Sequence, residues 1–258
     1  MRWKAAPTIQ SGPHMETLMT ARPPAPDAAL LDDLVAANRV LYAKGIVDGL
    51  GHVSARHDKD PSMYVLAAER APALVTRDDL AIYDLDSNAL TLTERRGYIE
   101  RFIHGEIYKA RPDVMSVIHC HTPSLVTFCV CQVPLKPIYH MSGFLGAGVG
   151  RFEARETFGM TDMLISSPAM GRELAKSLGK RAVVLMRGHG ATMAGASIKH
   201  TVFRAIYTAL NAAMQMDAMR LGDVTYLSDE EAAKATATND KVVDRSWALW
   251  KAEAAGEI

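Results

Sequence analysis

The sequence predicts one α/β domain: a mixed, mostly antiparallel central sheet flanked by helices. Three observations lead there. Four short strand-like segments separated by polar turns follow one another between residues 51 and 92, the pattern of a β-meander. Segments with helical periodicity, closed by Gly or Pro, alternate with apolar strand-like runs over the rest. No linker, repeat or shift in composition divides the 258 residues, which suffice for one sizeable core and are on the long side for one domain.

The elements follow in order. Segment 29–50 carries Leu30, Leu34, Val35, Val40 and Leu41 at helical spacing and is punctuated by Gly45 and Gly49. Segments 51–58, 62–68, 80–86 and 88–92 read as strands. YIERFIHGEIYKARPD, 98–113, is a helix with apolar Ile99, Phe102, Ile103 and Ile107, ended by Pro112. Residues 114–122 form a strand, and SLVTFCVC, 124–131, is apolar enough for either helix or strand. Another segment starts at 161, and a helix over 169–179 closes at Gly179. Residues 181–195 give a strand, a Gly-rich turn and a second strand; a long helix over 197–222 stops at Gly222. The end of the chain, 244–258, sets Trp247 and Trp250 at i, i+3 on a short helix. That apolar patch suits a partner subunit or the parent domain.

Composition excludes several classes of function. Lys plus Arg and Asp plus Glu both number 29, so the formal charge is zero and no basic stripe invites nucleic acid. No apolar run approaches the roughly 20 residues of a membrane span. Residues 1–27, rich in Pro and Ala, have no apolar h-region and are expected to be a flexible arm rather than a secretory signal. The three cysteines, Cys120, Cys129 and Cys131, are odd in number and lie in or near one apolar stretch. That suits a reducing cytoplasm, with small core residues rather than disulfides or soft metal ligands.

The chemistry concentrates in SVIHCHTP, 116–123. In a strand, residues i and i+2 share a face, so His119 and His121 project together and Cys120 turns away. Two such imidazoles are half of a metal site with three histidines and one position open. The third ligand is expected from LMRGHGATM, where Gly188 and Gly190 flank His189 and let the chain turn sharply. His14, His57 and His200 lie in the arm, in a charged turn and on a helix face, and are set aside. A centre of this kind needs an acid or base within reach. Glu100 opens the helix before the HxH strand; it is either a carboxylate poised by a divalent cation or one that merely stabilises a helix start. His104, one turn on, orients Glu100 or fills space, and Glu106 faces elsewhere.

These pieces resemble the class II aldolase/adducin family from about residue 29 to 222. The matching stretches are GLGHVSAR, YIERFIHGEIYKARPDVMSVIHCHTP and VVLMRGHGATMAG with the long helix after it. The resemblance implies a catalytic domain over 28–258, His119, His121 and His189 as metal ligands, and Glu100 as the catalytic acidic residue. It implies one divalent ion per subunit, with zinc, manganese, iron and cobalt all suited to the ligands. It also implies a homo-oligomer, a tetramer with active sites between neighbouring subunits. The departures matter. His52 stands in GHVS where the family's sugar-phosphate aldolases have Asn, and their Thr-Gly and Ser-Ser phosphate donors have no counterparts. A dianionic phosphate needs several fixed donors, so the expected substrate is not a sugar phosphate.

GHVSAR, ERFIHGEIY and IYHMSGF resemble the decarboxylase branch of the family. That implies metal-dependent decarboxylation of a hydroxylated aromatic or heteroaromatic carboxylate, as in aromatic compound catabolism. The alternatives are an aldolase acting on an unphosphorylated hydroxy-keto compound and a non-catalytic adducin-like module. His140 falls near the position of a functional Tyr in the aldolase pattern and is a second candidate proton donor, or else a loop histidine bonded to backbone. His52 and Ser54 are expected to line the pocket. Arg56 and Arg187 are candidates to grip a carboxylate bidentately, or structural ion-pair partners.

Overall fold

The computed structural model describes residues 22–91 and 93–258; the first 21 residues of the expected arm lie outside the described residues. Helix α1, Ala28–Ala43, buries Leu34, Val35, Val40 and Leu41. Strands β1 (His52–Arg56), β2 (Met63–Ala67) and β3 (Leu80–Asp84) follow as an antiparallel meander. Among the described residues of segment 88–92, pairing with β3 is limited to one isolated bridge, Ala89 to Tyr83, rather than a fourth strand. Two backbone bonds flank that bridge, Asp84 N–H to the Asn88 carbonyl and Leu90 N–H to the Ile82 carbonyl, and the pairing goes no further because the Ile82 amide donates to the Thr91 hydroxyl.

A 3-10 turn, Ile99–Arg101, leads into α2, Phe102–Ala110, and then β4, Ser116–Cys120. The ambiguous stretch is helix α3, Pro123–Val130, which starts on Pro123 in the first turn, where its missing N–H costs nothing. A 3-10 run, His140–Ala147, precedes β5, Gly150–Phe152, and the short helix α4, Ala154–Phe158. Helix α5, Pro168–Leu178, is capped by Ser167, whose hydroxyl accepts from the Met170 amide. Strands β6, Val183–Met186, and β7, Gly190–Gly195, form the predicted hairpin. Helices α6 (Ile198–Leu221), α7 (Asp229–Asn239) and α8 (Val243–Ala255) complete the chain.

The seven strands are ordered β3-β2-β1-β4-β7-β6-β5, and β5–β6 is the parallel pair in an otherwise antiparallel sheet. Alternation sends each strand's side chains into two cores. Val53, Ala55, Ile118, Cys120 and Met193 face α1, α3, α6 and α8. Val117, Ala194, Val184 and Met186 face α2 and α5. Each fully buried aliphatic side chain, such as Ile103 or Leu174, adds about 1.5–3 kcal/mol of hydrophobic stabilisation. Trp247 and Trp250 belong to the first core, with the Trp250 ring 6.3 Å from Phe203 and 6.2 Å from Tyr207. They cover the parent domain and are no evidence for a partner.

The register places the chemistry. His52 lies opposite His119, and His119 opposite Thr192, in one row across β1, β4 and β7. The row is on the α2 face, at the end of β4 where the β6–β7 turn arrives.

Candidate metal centre

His119 is the penultimate residue of β4 and His121 lies just beyond the strand, so both rings project on one face at its end, as alternation requires. His189 arrives from the turn between β6 and β7. Gly188 takes φ +66°, a conformation other residues adopt at a cost, and a Cβ on Gly190 would sit 2.1 Å from the Cys120 carbonyl oxygen. The two glycines let the turn fold tightly onto the end of β4 and bring the His189 ring beside His121.

Glu100, His119, His121 and His189 form a group whose ligand atoms all lie within 4.8 Å of one another. Nε2 of His121 is 3.0 Å from Nε2 of His119 and 3.1 Å from Nε2 of His189. Glu100 Oε2 lies 3.4 Å from His119 Nε2 and 3.5 Å from His189 Nε2. The far nitrogens are anchored: His189 Nδ1 donates to the Met163 carbonyl at 3.0 Å, and His119 Nδ1 faces Thr192 Oγ1 at 3.3 Å. Those anchors turn both Nε2 lone pairs inward, the arrangement second partners give metal-bound histidines. Lone pairs crowded about 3 Å apart repel unless a cation sits among them, and that spacing suits imidazoles sharing one ion at about 2.0–2.1 Å. The residues therefore fit a divalent metal, with three nitrogen ligands and an adjoining carboxylate.

Electrostatics agree. Burial alone would push the Glu100 carboxyl up, but the charges and hydrogen bonds of His119 and His189 outweigh it and hold the group well below the usual carboxylate range. Burial presses His189 down, yet its bond to Glu100 and that carboxylate's charge raise it above its ordinary value. Burial, then the charges of His119 and His189, lowers His121 to about 4. A proton and a cation compete for one position on this site.

Glu100 is fixed from the other side. It sits in the 3-10 turn at φ −87°, ψ 17°, and its Oε1 accepts the Ile165 amide at 2.9 Å. The segment beginning at 161 thus braces both Glu100 and His189. Met163 adopts φ +70°, which a side-chain-bearing residue holds at a cost of about 1–2 kcal/mol. Its carbonyl aims at His189 from that strained position. No residue type there announces the role, because methionine carries no preference for left-handed backbone.

The remaining predicted site residues are placed differently. His52 is buried beside the centre, its ring 5.1 Å from His119 and 4.7 Å from Tyr98. Ser54 is wholly buried with its hydroxyl bonded to His104 and Tyr108, so it does not line an open pocket. Arg56 does not reach the site. Its guanidinium donates to the carbonyls of Val114, Pro61, Tyr108 and Arg111 and lies over the Tyr108 ring, which leaves no fork for a carboxylate. Arg187 precedes the His189 turn and is ion-paired with Glu153. His140 is exposed, its carbonyl accepting from Asn239 Nδ2 at 2.8 Å, and is outside the four-residue group. Glu106 faces Lys109 and Arg172, and Cys129 donates to the Gly190 carbonyl. A cleft of about 730 Å³ between Phe144, Arg181 and Arg204 contains none of the four residues and is not the centre. The polar residues underrated in the sequence are His104 and Tyr108. With Glu100 they recur every fourth position along an apolar helix, and that spacing is the signal that marks them.

The family model for the class II aldolase and adducin N-terminal domain matches residues 32–216. The chain belongs to that family. Among relatives, decarboxylase tropJ of Talaromyces stipitatus is 35% identical over 243 residues, covering 85% of this chain and 91% of its own length. The 3,4-dihydroxyphthalate decarboxylase of Arthrobacter keyseri is 28% identical over 206 residues, covering 77% of this chain and 82% of the relative. Among solved structures, L-fuculose 1-phosphate aldolase from Glaciozyma antarctica superposes with a TM-score of 0.74 at 20% identity, covering 96% of both chains. The fold is thus that of the class II aldolases. Among the described residues no helix is long and apolar enough to cross a membrane.

Proposed function

We propose that this protein is a divalent-metal-dependent decarboxylase of a hydroxylated aromatic or heteroaromatic carboxylate. The observation that carries the reading is the convergence of three Nε2 atoms, two of them on rings anchored through Nδ1, beside a pinned carboxylate. Membership of the family, with decarboxylases among the relatives, makes the chain a carbon–carbon lyase. A substrate like that of the dihydroxyphthalate relative suits the chain, which lacks the sugar-phosphate branch's phosphate donors.

His119, His121 and His189 hold the ion. When bound, it supplies Lewis-acid stabilisation of negative charge on the hydroxyl oxygen next to the departing carboxylate. Glu100, kept ionised, accepts the hydroxyl proton at Oε2 while Ile165 N–H fixes Oε1. The C–C bond then breaks, CO2 leaves, and the bonding electrons move into the ring. Glu100 returns its proton to the ring carbon, and solvent reprotonates the oxygen, so one proton is consumed overall. His52 faces the substrate from the neighbouring strand. His140, exposed on its own chain, acts on a neighbouring subunit's centre in a tetramer whose active sites lie between subunits. The ion is zinc, manganese, iron or cobalt, since imidazole and carboxylate serve all four.

Metal analysis of the purified protein, followed by incubation with hydroxyphthalates and hydroxypyridine carboxylates, tests the reading. CO2 release that stops on chelation supports it. Cleavage of an unphosphorylated hydroxy-keto compound, with no CO2 from any carboxylate, would replace it with the aldolase reading.

A further inference from the structure

Beneath the metal centre runs a line of four buried polar side chains that metal binding does not use. From β1, His52 and Ser54 project on the same face as His119; from α2, His104 and Tyr108 descend onto them one turn apart. Tyr108 Oη lies 2.7 Å from Ser54 Oγ, Ser54 Oγ 2.6 Å from His104 Nδ1, and His104 Nε2 2.7 Å from His52 Nδ1. All four residues are at most 2% exposed.

The hydrogens on this line can be assigned by accounting, because a buried polar hydrogen without an acceptor is costly and rare. Among the described residues, Ser54 Oγ is the one hydrogen-bond acceptor within reach of the Tyr108 hydroxyl. Tyr108 therefore donates to Ser54. Ser54 Oγ then has His104 Nδ1 left as the acceptor for its own hydrogen. With Nδ1 accepting, a neutral His104 carries its hydrogen on Nε2 and donates it to His52 Nδ1. His52 in turn carries its hydrogen on Nε2. The reverse direction leaves the Tyr108 hydrogen stranded in the core, whereas His52 Nε2, without a partner among the described residues, is not one of the fully buried unpartnered atoms and so keeps access to water or a ligand.

We propose that this buried chain, Tyr108–Ser54–His104–His52, fixes His52 as an N–H donor at the metal centre, and that the donor binds an anionic oxygen of the substrate. Nε2 of His52 makes no hydrogen bond to any described residue, and its ring lies 5.1 Å from that of His119. The opposite tautomer would aim a lone pair at the same place and repel a carboxylate. The chain thus converts a histidine, which can be donor or acceptor, into a fixed donor without adding a charge. His52 contacts substrate in this account, whereas His104, Ser54 and Tyr108 are positioning residues. The substrate half of the inference rests on the carboxylate reading given above; the tautomer half does not.

Two-bond 1H–15N spectra of the histidine rings in the zinc-loaded protein read the tautomers directly, without substrate. The expected result is a hydrogen on Nε2 of both His52 and His104, with a second His104 tautomer emerging in Ser54→Ala. A hydrogen on Nδ1 of His52 in the wild type overturns the inference, whatever the turnover. The kinetic arm uses 3,4-dihydroxyphthalate. His52→Phe should raise KM roughly 10- to 100-fold, the scale of a hydrogen bond to a charged group, with kcat changed only a few-fold and metal content intact. His52→Gln, whose amide N–H falls near the position of Nε2, should recover most of the loss. Equal KM values for wild type and His52→Phe overturn the substrate half. If His52 carries its hydrogen on Nε2 but no carboxylate in the panel releases CO2, the functional reading fails and the tautomer assignment stands.

Discussion

Replacing Glu100 with Gln separates proton transfer from metal holding. The glutamine keeps the shape and an acceptor for the Ile165 amide, which lies 2.9 Å from Oε1. It puts an amide nitrogen where Oε2 now stands, 3.4 Å and 3.5 Å from the Nε2 atoms of His119 and His189. The three imidazoles are untouched, so substantial metal should remain. What vanishes is the group that accepts and returns a proton. General acid–base catalysis of this kind contributes about 10²–10⁴-fold, or ~3–5 kcal/mol of barrier. The assay compares metal content, by plasma mass spectrometry, and kcat of Glu100→Gln with wild type in parallel. The expected outcome is near-normal metal with kcat reduced by about 100-fold or more. Turnover within a few-fold of wild type would mean that Glu100 only braces the loop at Ile165, and His140 would become the preferred proton donor.

Three further outcomes follow from the same structure. His189→Ala should release most of the metal and abolish turnover, and full metal occupancy in that variant would remove His189 from the ligand set. The buried His104 is lowered from its ordinary 6.5 to about 3, first by burial and then by His119. Folding therefore favours its neutral form, and the associated stability is present above pH 6.5 and lost as pH falls toward 3, at up to ~1.4 kcal/mol per pH unit. Urea unfolding should show the stability gap between wild type and His104→Gln narrowing from pH 7 to pH 5; a constant gap contradicts it. Light scattering at micromolar concentration should report a tetramer, and a monomer would sink the placement of His140 at a neighbour's centre.

Much of the site was legible because strand alternation and a glycine-flanked turn are local rules. His119 and His121 had to share a face, and Cys120 had to turn into the opposite core, where it lies. Gly188 and Gly190, flanking His189, mark a tight approach to another strand. Arg187 took its alternative reading, an ion-pair partner of Glu153, while Arg56 fits neither reading because a guanidinium satisfies carbonyls as readily as carboxylates. Nothing in GHVSAR says that Arg56 spends its donors on the carbonyls of Val114 and its neighbours. Ser54 misled in a similar way, since alternation gives the face but not the helix that will cover it. Met163 and Ile165 act through backbone atoms, which no side-chain pattern records. The tryptophans at the C-terminus were ambiguous for a further reason. A bulky apolar pair is needed equally by an interface and by a core, and only the placement of α8 against α1 and α6 decides between them.

Metal-dependent decarboxylation is tested most directly by CO2 release from 3,4-dihydroxyphthalate and related hydroxyaryl carboxylates by the metal-loaded protein, followed through chelation and metal return. The expected result is stoichiometric CO2 from at least one of these carboxylates, loss of release on chelation, recovery on adding back a divalent ion, and no release from a His121→Ala variant. CO2 release that persists unchanged in the chelated protein, or in His121→Ala, would contradict it.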